Sequence, residues 1–338
     1  MHMSLEALVK DLRTHPGITR KRTISEVLSF FPKTAYGKVL AAYGEDAAVL
    51  EFGDSVLLLA ADGIMESLMK ANPWFAGYYA ILVNINDISA MGGIPLAMVD
   101  VISMKDEKVC GQVMRGMENA SRKFGVPVVG GHTHPDCHYN AVDVAILGTA
   151  DRDAVIYSHT AQAGDDIIFA MDLDGFYPEK LDYAWDTTSK KDADTVREQM
   201  LIMNHLGKLH LVHAGKDMSN PGSIGTLGML LETSGKGGTV DLDKVPRPKG
   251  VPFNQWLKSY QGCGFVLTSA PKHSSKVLDL FAHSGVEGAV VGSVNASSLM
   301  VLDQGEDSRT LFDFKKDIIT GCNPTLLPQG CAPAKEEE

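Results

Sequence analysis

The sequence predicts an α+β protein of two domains. Its 338 residues suffice for two domains that each bury a core of their own. Stretches with the apolar spacing of helices alternate with short apolar runs typical of strands, and strand, helix and strand follow one another towards the C-terminus. The composition changes over residues 151–164, which we take as the junction between the domains.

These boundaries divide the chain into four parts. Residues 1–40 form a helical segment with a basic turn, residues 41–155 a β-rich first domain, residues 156–312 an α+β second domain and residues 313–338 a tail. Residues 315–338, which end in the charged run Lys335-Glu336-Glu337-Glu338, are predicted to be frayed.

The bulk composition excludes two classes of partner. A formal net charge of -11 and a pI near 5.5, without a basic face carrying interleaved aromatic residues, argue against nucleic-acid binding. No apolar run approaches the length of a membrane span and the N-terminus lacks the features of a signal peptide, so we expect a cytoplasmic protein that binds no membrane. The five cysteines are widely scattered without a C-x-x-C pair, so we expect reduced thiols.

The chain is organised around a predicted hairpin that carries two acidic residues at one end. Asp46 precedes one apolar run and Asp62 follows the next, with the tight turn Gly53-Asp54 between the runs. Two carboxylates that meet at the end of buried strands repel each other and lose hydration, so a bridging cation would stabilise them. Magnesium is the first candidate and manganese the second, because both favour carboxylate oxygens. Two solvated turn acids are the alternative interpretation.

A basic turn and the end of a helix supply further candidate residues. The turn Arg20-Lys21-Arg22 either folds over a triphosphate or stays a solvated turn. Asn72-Pro73 marks the start of a helix that is predicted to end at Gly92-Gly93. Asn86 and Asp87 lie in its last turn, where an acid faces the negative end of the helix dipole. Either a bound metal ion or a cationic side chain would offset that repulsion.

A loop rich in histidine is a second candidate metal site. A short buried strand at residues 126–129 leads into Gly130-Gly131, and residues 141–150 are its predicted partner strand. The hairpin loop between them holds His132, His134, Cys137 and His138. Imidazole and thiolate groups bind transition metals, but the spacing H-x-H-x-x-C-x-H matches no zinc pattern.

The second domain is predicted to contribute one more acid. Asp217 comes just before a helix that begins at Pro221, with Ser219 or Asn220 as its cap, and ends at Gly235. Unpaired amides at the start of a helix attract phosphate, and an acid beside them can hold a metal ion. A plain capped helix is the alternative.

Two segments of the second domain are candidates for contact with a substrate. Residues 172–191 form a long loop whose aromatic side chains, among them Trp185, make it a candidate lid or substrate wall. Gly262 and Gly264 precede a strand, where glycine lets backbone approach a ligand closely. Cys263 between them has no identifiable basic partner, so packing explains it better than nucleophilic chemistry.

Four motifs stand in one order along the chain. They are G-E-D-A-A-V from Gly44, A-D-G from Ala61, V-N-I-N-D-I-S-A-M-G-G-I-P-L-A from Val83 and D-M-S-N-P-G from Asp217. This order resembles the aminoimidazole ribonucleotide (AIR) synthetase superfamily of PurM-like proteins, which includes thiamine-monophosphate kinase, selenophosphate synthetase, HypE and PurL. The resemblance runs from about residue 15 to 305, and within the superfamily the chain looks most like the AIR synthase-related proteins, including methanogenesis marker protein 2.

The resemblance implies a two-domain PurM-like fold that forms a homodimer through its first domains and binds ATP with several Mg²⁺ ions in a cleft. By motif, the expected metal ligands are Asp46, Asp62, Asp87 and Asp217, and of these Asp62 and Asp217 are also the expected catalytic residues. Besides Asp46 and Asp87, the expected nucleotide contacts are Arg20, Lys21, Asn86, Gly130, Gly131, His132 and Asn220. The expected substrate contacts are Trp185, Gly262 and Gly264.

Three features depart from the patterns of individual relatives. Thiamine-monophosphate kinases have acids where this chain has His132 and Asn220, and two missing carboxylates remove negative charge from the metal cluster. The sequence therefore argues against thiamine monophosphate as the substrate. The first cysteine is Cys110, so the reactive N-terminal cysteine of selenophosphate synthetase is missing, which argues against selenide chemistry.

The sequence thus predicts an ATP- and Mg²⁺-dependent kinase-like or synthetase-like enzyme. It would transfer the γ-phosphoryl group to an oxygen of a small molecule, or activate that oxygen, with positioning and metal ions as the main contributions. One alternative is a nucleotide-binding partner subunit without turnover, suggested by His132 and Asn220. Another is a transition-metal protein that uses the loop from His132 to His138. Nothing in the sequence identifies the acceptor.

Overall fold

A computed structural model describes residues 3–31, 38–260, 262 and 264–322 of the chain. In this part of the chain, six strands form one sheet and seven strands form a second, and helices pack on both. The α+β fold of two domains is therefore confirmed. None of the helices in these ranges combines the length and the apolar character that crossing a bilayer requires.

The first domain is a mixed sheet covered on one face by helices. Its strands are β1 (Val39–Ala41), β2 (Ala48–Phe52), β3 (Ser55–Gly63), β4 (Ile94–Ser103), β5 (Val128–His134) and β6 (Ala141–Asp151). They lie in the order β1-β2-β3-β6-β4-β5, and only the pair β4 and β5 is parallel among them. The helices are α4 (Glu66–Ala71), α5 (Pro73–Ala90) and α6 (Glu107–Phe124).

Helix α5 is the buried centre of the first domain. It starts as predicted, because the Asn72 side chain accepts a hydrogen bond from the Phe75 amide at 3.3 Å and Pro73 occupies the first turn. A Cβ atom on Gly116 of α6 would lie 2.0 Å from the Trp74 carbonyl oxygen, so glycine permits this close helix crossing. Packing on both the sheet and the second domain fixes the last turn of α5, which carries Asn86.

The second domain is built on the seven-stranded sheet. Its strands are β7 (Asp166–Met171), β8 (Ala214–Asp217), β9 (Gly237–Asp241), β10 (Gly264–Ser269), β11 (Glu287–Asn295), β12 (Leu299–Gln304) and β13 (Asp307–Asp313). They lie in the order β13-β12-β9-β11-β7-β10-β8, with β9 and β12 parallel and the other described pairs antiparallel. The helices are α7 (Ala193–Lys208), α8 (Gly222–Ser234), α9 (Phe253–Trp256) and α10 (Pro271–His283).

The N-terminal segment packs on the second domain. It consists of α1 (Leu5–Arg13), α2 (Pro16–Thr19), a 3-10 turn at Arg20–Arg22 and α3 (Thr23–Leu28). Leu5, Leu8 and Leu12 are buried in the core of the second domain, as their spacing predicts. Arg13 extends this contact through an ion pair of 2.7 Å with Asp317. Helix α3 does not share this burial, since its Val27 side chain is 51% exposed.

The segment after β13 is packed as far as Cys322, so the predicted frayed tail is wrong for residues 315–322. The buried carboxylate of Glu232, on α8, accepts hydrogen bonds from the amides of Ile319 at 2.9 Å and Thr320 at 2.8 Å. Ile319 and Cys322 are themselves buried. The sequence did not indicate this contact, because Glu232 lies far upstream of Ile319 and Thr320 in the chain. The rest of the predicted tail lies outside the described residues.

The strand predicted at residues 126–129 is longer and more exposed than expected. Strand β5 continues to His134, because its parallel pairing with β4 continues as far as Ser103. It is an edge strand, and Val129 is 66% exposed. Gly130, Gly131, His132 and His134 therefore belong to a strand and not to a hairpin loop.

The segment 172–191 is a packed connection, so the prediction of a lid is wrong. The Trp185 indole donates a hydrogen bond of 3.0 Å to the Asp172 carbonyl oxygen, and its ring meets Trp256 edge-on at 5.4 Å. Asp186 is buried and accepts a hydrogen bond from the Thr188 amide. Tertiary contacts of this kind are not visible in a sequence that lacks helical or strand periodicity.

Candidate functional site

A cleft with a volume of about 660 Å³ lies between the two domains. Its walls come from the basic turn, the β2–β3 hairpin, the end of α5, the end of β8 and the segment that ends at Cys322. The predicted site residues that line it are Arg20, Lys21, Asp46, Asp62, Asn86, Asp87, Asp217 and Asn220. Residues from both halves of the chain are thus brought to one cavity.

Three of the four predicted metal ligands converge in this cleft. Asp46 precedes β2, Asp87 lies in the last turn of α5, and Asp217 ends β8. Each offers a carboxylate oxygen, and these oxygens all lie within 4.8 Å of one another. Within the described ranges, no other group of three His, Cys, Asp or Glu residues is so close. Asp62 lines the cleft but is exposed and lies outside this group.

The three carboxylates are in an environment that disfavours their negative charge. Burial raises the pKa of Asp87 well above its usual range, and the neighbouring Asp217 and Asp46 raise it further. Burial and the Asp46 charge raise the pKa of Asp217 to about 7. Burial also raises the pKa of Asp46, against the opposing effect of Lys216. A cluster of this kind takes up either protons or a cation at neutral pH.

Lys216 is a site residue that the sequence analysis missed. Its ammonium group pairs with Oδ1 of Asp46 and also lies 3.3 Å from the Gly44 carbonyl oxygen. Both side chains of the ion pair are only 7% exposed. The sequence did contain a signal for Lys216, because this residue directly precedes the candidate metal ligand Asp217. A lysine in a short buried strand seldom points to solvent, so it needs an acidic partner.

The loop that carries Asp46 is held by the second domain. Glu45 accepts a hydrogen bond of 2.7 Å from the Ser158 amide, and its other oxygen lies 2.5 Å from Nδ1 of His159. The Ser158 hydroxyl donates to the Gly44 carbonyl oxygen at 2.8 Å. The hydrogen bond to Glu45 raises the pKa of His159. The position of Asp46 therefore depends on contacts between the domains.

The basic turn faces the acidic residues across the cleft. A Cβ atom on Gly17 would lie 2.1 Å from the Asn220 carbonyl oxygen, so glycine lets the N-terminal segment approach the start of α8. Arg20 and Lys21 then line the same cavity as Asp62. Burial lowers the pKa of Lys21, and the charge of Asp62 partly offsets this effect.

The oxygen atoms in the cleft fit a hard divalent cation. Asp46 Oδ2, Asn86 Oδ1 and Asn220 Oδ1 are buried and have no hydrogen-bond partner. The Asn86 amide is oriented by its nitrogen, which donates to the Gly262 carbonyl oxygen at 3.2 Å and leaves Oδ1 free. Buried acceptors without donors are costly, and carboxylate and amide oxygens are the ligands that Mg²⁺ and Mn²⁺ accept.

Several predicted site residues lie away from this cleft. Gly130, Gly131 and His132 are on the edge strand β5 and do not line it. Trp185 and Gly264 line a smaller cavity of about 20 Å³, which shares the walls Met218 and Tyr260 with the cleft. Gly262 approaches the cleft through its contact with Asn86, whereas Trp185 and Gly264 are set back from it.

The start of α8 and the histidine-rich segment both differ from the prediction. Helix α8 begins at Gly222 after Pro221, without a side-chain cap, so neither Ser219 nor Asn220 has the predicted capping role. The His132 and His134 rings lie 4.5 Å apart on one side of β5. Residues 132–138, all of which are described, contribute no group of three close metal ligands.

Comparison with protein families gives two adjacent matches. The N-terminal domain of AIR synthase related protein matches residues 44–150, and the C-terminal domain of AIR synthase related protein matches residues 155–303. An uncharacterised protein of Methanocaldococcus jannaschii is 42% identical over 324 residues, which cover 95% of this chain and all of that protein. An uncharacterised protein of Synechocystis is 37% identical over 278 residues, which cover 82% of this chain and 86% of that protein.

Solved structures with the same fold are less similar in sequence. PurL of Thermotoga maritima complexed with ATP has a TM-score of 0.71 at 17% identity, and the match covers 96% of this chain and 52% of PurL. A ThiL protein complexed with AMPPCP and TMP has a TM-score of 0.63 at 17% identity, with 92% of this chain and 100% of ThiL covered. A chain of the HypE–HypF complex has a TM-score of 0.65 at 19% identity, with 86% and 99% covered.

These structural matches establish the PurM-like fold, and the chain spans about half the length of PurL. The two family matches cover the first and the second domain, one after the other along the chain. The matches to the proteins of Methanocaldococcus jannaschii and Synechocystis extend over most of the chain. The chain therefore belongs to the AIR synthase-related family.

Proposed function

We propose that this protein is a cytoplasmic enzyme that binds ATP with Mg²⁺ in the cleft and directs the γ-phosphoryl group to an oxygen of a small molecule. The observation that carries the proposal is the meeting of Asp46, Asp87 and Asp217 from two domains beside a basic turn. PurL complexed with ATP and ThiL complexed with AMPPCP share the fold, which supports a nucleotide as the ligand.

In this proposal Asp46, Asp87 and Asp217 hold the metal ions, and the free amide oxygens of Asn86 and Asn220 complete the set of ligands. The metal ions would neutralise the charge that develops on the phosphates during transfer. Burial of the acids favours a bound cation, because Lys216 pairs only with Asp46 and the repulsion among the three carboxylates opposes their full ionisation.

The remaining charged residues of the cleft take positioning roles. Arg20 and Lys21 line the cleft where cationic groups can hold phosphate oxygens, and Lys21 is half-buried there. Asp62 is exposed at the edge of the cavity and lies outside the close cluster. We therefore assign it the role of holding a metal ion on the side of the acceptor. Phosphoryl transfer depends mainly on positioning and charge, so this set requires no strong general base.

We further propose a homodimer that forms through the outer face of the first sheet. Leu59, Val99, Val101 and Leu147 lie on that face and are 48%, 45%, 43% and 36% exposed. Cross-strand pairing places Leu59 beside Leu147, so these side chains form one apolar surface. Apolar surfaces of this kind mark interaction sites.

The dimer would also explain the predicted nucleotide contacts that this chain's own cleft does not use. Gly130, Gly131 and His132 lie on β5, at the edge of the same sheet. In a dimer they would lie at the interface between the subunits. Their role as nucleotide contacts stays a prediction.

The catalytic proposal is tested by following the label of γ-labelled ATP in a pool of small metabolites. We expect Mg²⁺-dependent transfer of the label to one class of small molecule by the wild type, and none by Asp217→Asn. The matched control is Asp54→Asn, which removes an exposed carboxylate at the turn of the β2–β3 hairpin. Nucleotide binding without transfer across a broad pool would contradict the proposal and favour a non-catalytic partner subunit.

A further inference from the structure

Lys216 is a buried cation that the proposed reaction does not yet use. Every residue of its strand, β8, is buried, and the lysine is 6% exposed. Burying an ammonium group is costly unless oxygen atoms surround it. Its two partners are Oδ1 of Asp46 and the Gly44 carbonyl oxygen, and both come from the other domain.

These partners resemble the oxygen atoms that a metal ion binds. A carboxylate oxygen and a backbone carbonyl oxygen are both ligands of hard cations. The ammonium group therefore sits where a cation could sit, next to the cluster of Asp46, Asp87 and Asp217.

The second oxygen of Asp46 is free for another cation. Oδ2 is buried and has no hydrogen-bond partner, whereas Oδ1 is held by Lys216. The Asp46 side chain is 7% exposed, so solvent satisfies Oδ2 poorly. One carboxylate thus presents one oxygen to the lysine and leaves the other without a hydrogen-bond partner.

The charge of the cluster depends on this lysine. When all three carboxylates are ionised they carry three negative charges, and the ammonium group reduces the total to two, which one divalent ion balances. Without the ammonium group one divalent ion would leave a negative charge buried in the cleft. The lysine therefore affects how many divalent ions the cleft requires.

We propose that Lys216 serves as a built-in cation that takes the place of one divalent metal ion in the acidic cluster and so sets the number of ions that the cleft binds. This inference rests on the proposed function, because it assumes that the cluster holds metal ions. It assigns Lys216 a role in metal stoichiometry, and not only in joining the two domains.

The test is the number of Mn²⁺ ions bound per chain, counted by electron paramagnetic resonance in the presence of AMPPCP. We expect Lys216→Met to bind one more ion than the wild type, at the position that the ammonium group leaves. Lys216→Arg, which keeps a positive charge, should bind the same number as the wild type. The double variant Lys216→Met with Asp46→Asn should lose the additional ion, because one of its ligands is gone.

Thermal unfolding separates this role from a purely structural ion pair. Lys216→Met should be less stable than the wild type without metal, and saturating Mn²⁺ should restore most of that loss. An equal ion count in Lys216→Met and the wild type would overturn the inference, as would a loss of stability, or a failure to fold, that Mn²⁺ does not correct. If the wild type itself binds no Mn²⁺, the proposed function fails first and the inference fails with it.

Discussion

Asp46 and Asp217 belong to different domains, yet their carboxylate oxygens lie within 4.8 Å of each other. Like charges at this distance in a buried cleft repel strongly, and the raised pKa of Asp217 reflects that repulsion together with burial. The fold therefore stores an electrostatic cost at the point where the domains meet. A divalent cation would remove this cost and hold the domains together.

The first prediction concerns the metal ligands. Asp217→Asn should weaken the Mg²⁺-dependent binding of AMPPCP about 100-fold or more, because even residues that only orient a metal ligand contribute 10- to 100-fold to affinity. Isothermal titration calorimetry measures this change. The control Asp54→Asn keeps the same charge difference at an exposed position and should bind as the wild type does. Equal affinities of both variants would refute the assignment of Asp217.

The second prediction concerns pH and stability without metal. Folding raises the pKa of Asp217 from 3.8 to about 7, so the folded protein binds a proton at this carboxylate more tightly than the unfolded chain does. The resulting stability is fully present below about pH 4 and is lost as the pH rises through about 7. The metal-free protein should therefore have a lower melting temperature at about pH 8 than at about pH 5.

Magnesium should reverse this trend, because it binds the ionised cluster. The increase in melting temperature on adding Mg²⁺ should be larger at about pH 8 than at about pH 5. His159, whose pKa is also raised, contributes to the metal-free trend with the same sign, so Asp217→Asn is needed as a comparison. A pH dependence that Asp217→Asn leaves unchanged would contradict this explanation.

The third prediction concerns the oligomeric state. Leu147→Asp places a charge on the apolar outer face of the first sheet and should convert a dimer into a monomer. Light scattering after gel filtration measures the mass. Leu201→Asp is the matched control, because Leu201 is 39% exposed on α7 and Leu147 is 36% exposed. A wild type that is monomeric at all concentrations would rule out the proposed homodimer.

The fourth prediction concerns the C-terminal segment of the cleft. Glu232→Gln replaces a buried carboxylate that accepts hydrogen bonds from residues 319 and 320, and should lower the free energy of unfolding by about 2–4 kcal/mol. Denaturant unfolding measures the loss, and limited proteolysis should cut the released segment first. Glu287→Gln, at an exposed position on β11, is the control. Unchanged proteolysis would show that Glu232 does not hold this segment.

The sequence predicted the elements whose signals are local. Asn72 and Pro73 start α5 as predicted, and the turn at Gly53-Asp54 joins β2 to β3. The hairpin also brings Asp46 and Asp62 to the same end of the strand pair, because the start of β2 lies beside the end of β3.

Residues whose role depends on distant partners could not be predicted in this way. Lys216 pairs with Asp46 across the domain junction, and Glu232 holds Thr320 through a contact between separate segments. Strand β5 extends to His134 because it pairs with β4. The run of glycine and histidine residues has no local pattern that indicates this pairing. Tertiary pairing, and not propensity, decides each of these features.

The most direct test of the central claim is calorimetric titration of the wild type with AMPPCP, first with Mg²⁺ and then with the metal removed by EDTA. If Asp46, Asp87 and Asp217 hold divalent ions on the phosphates, binding should be strong with Mg²⁺ and weak or undetectable with EDTA. The same affinity in both titrations would show that the acidic cluster does not serve the nucleotide, and would contradict the account.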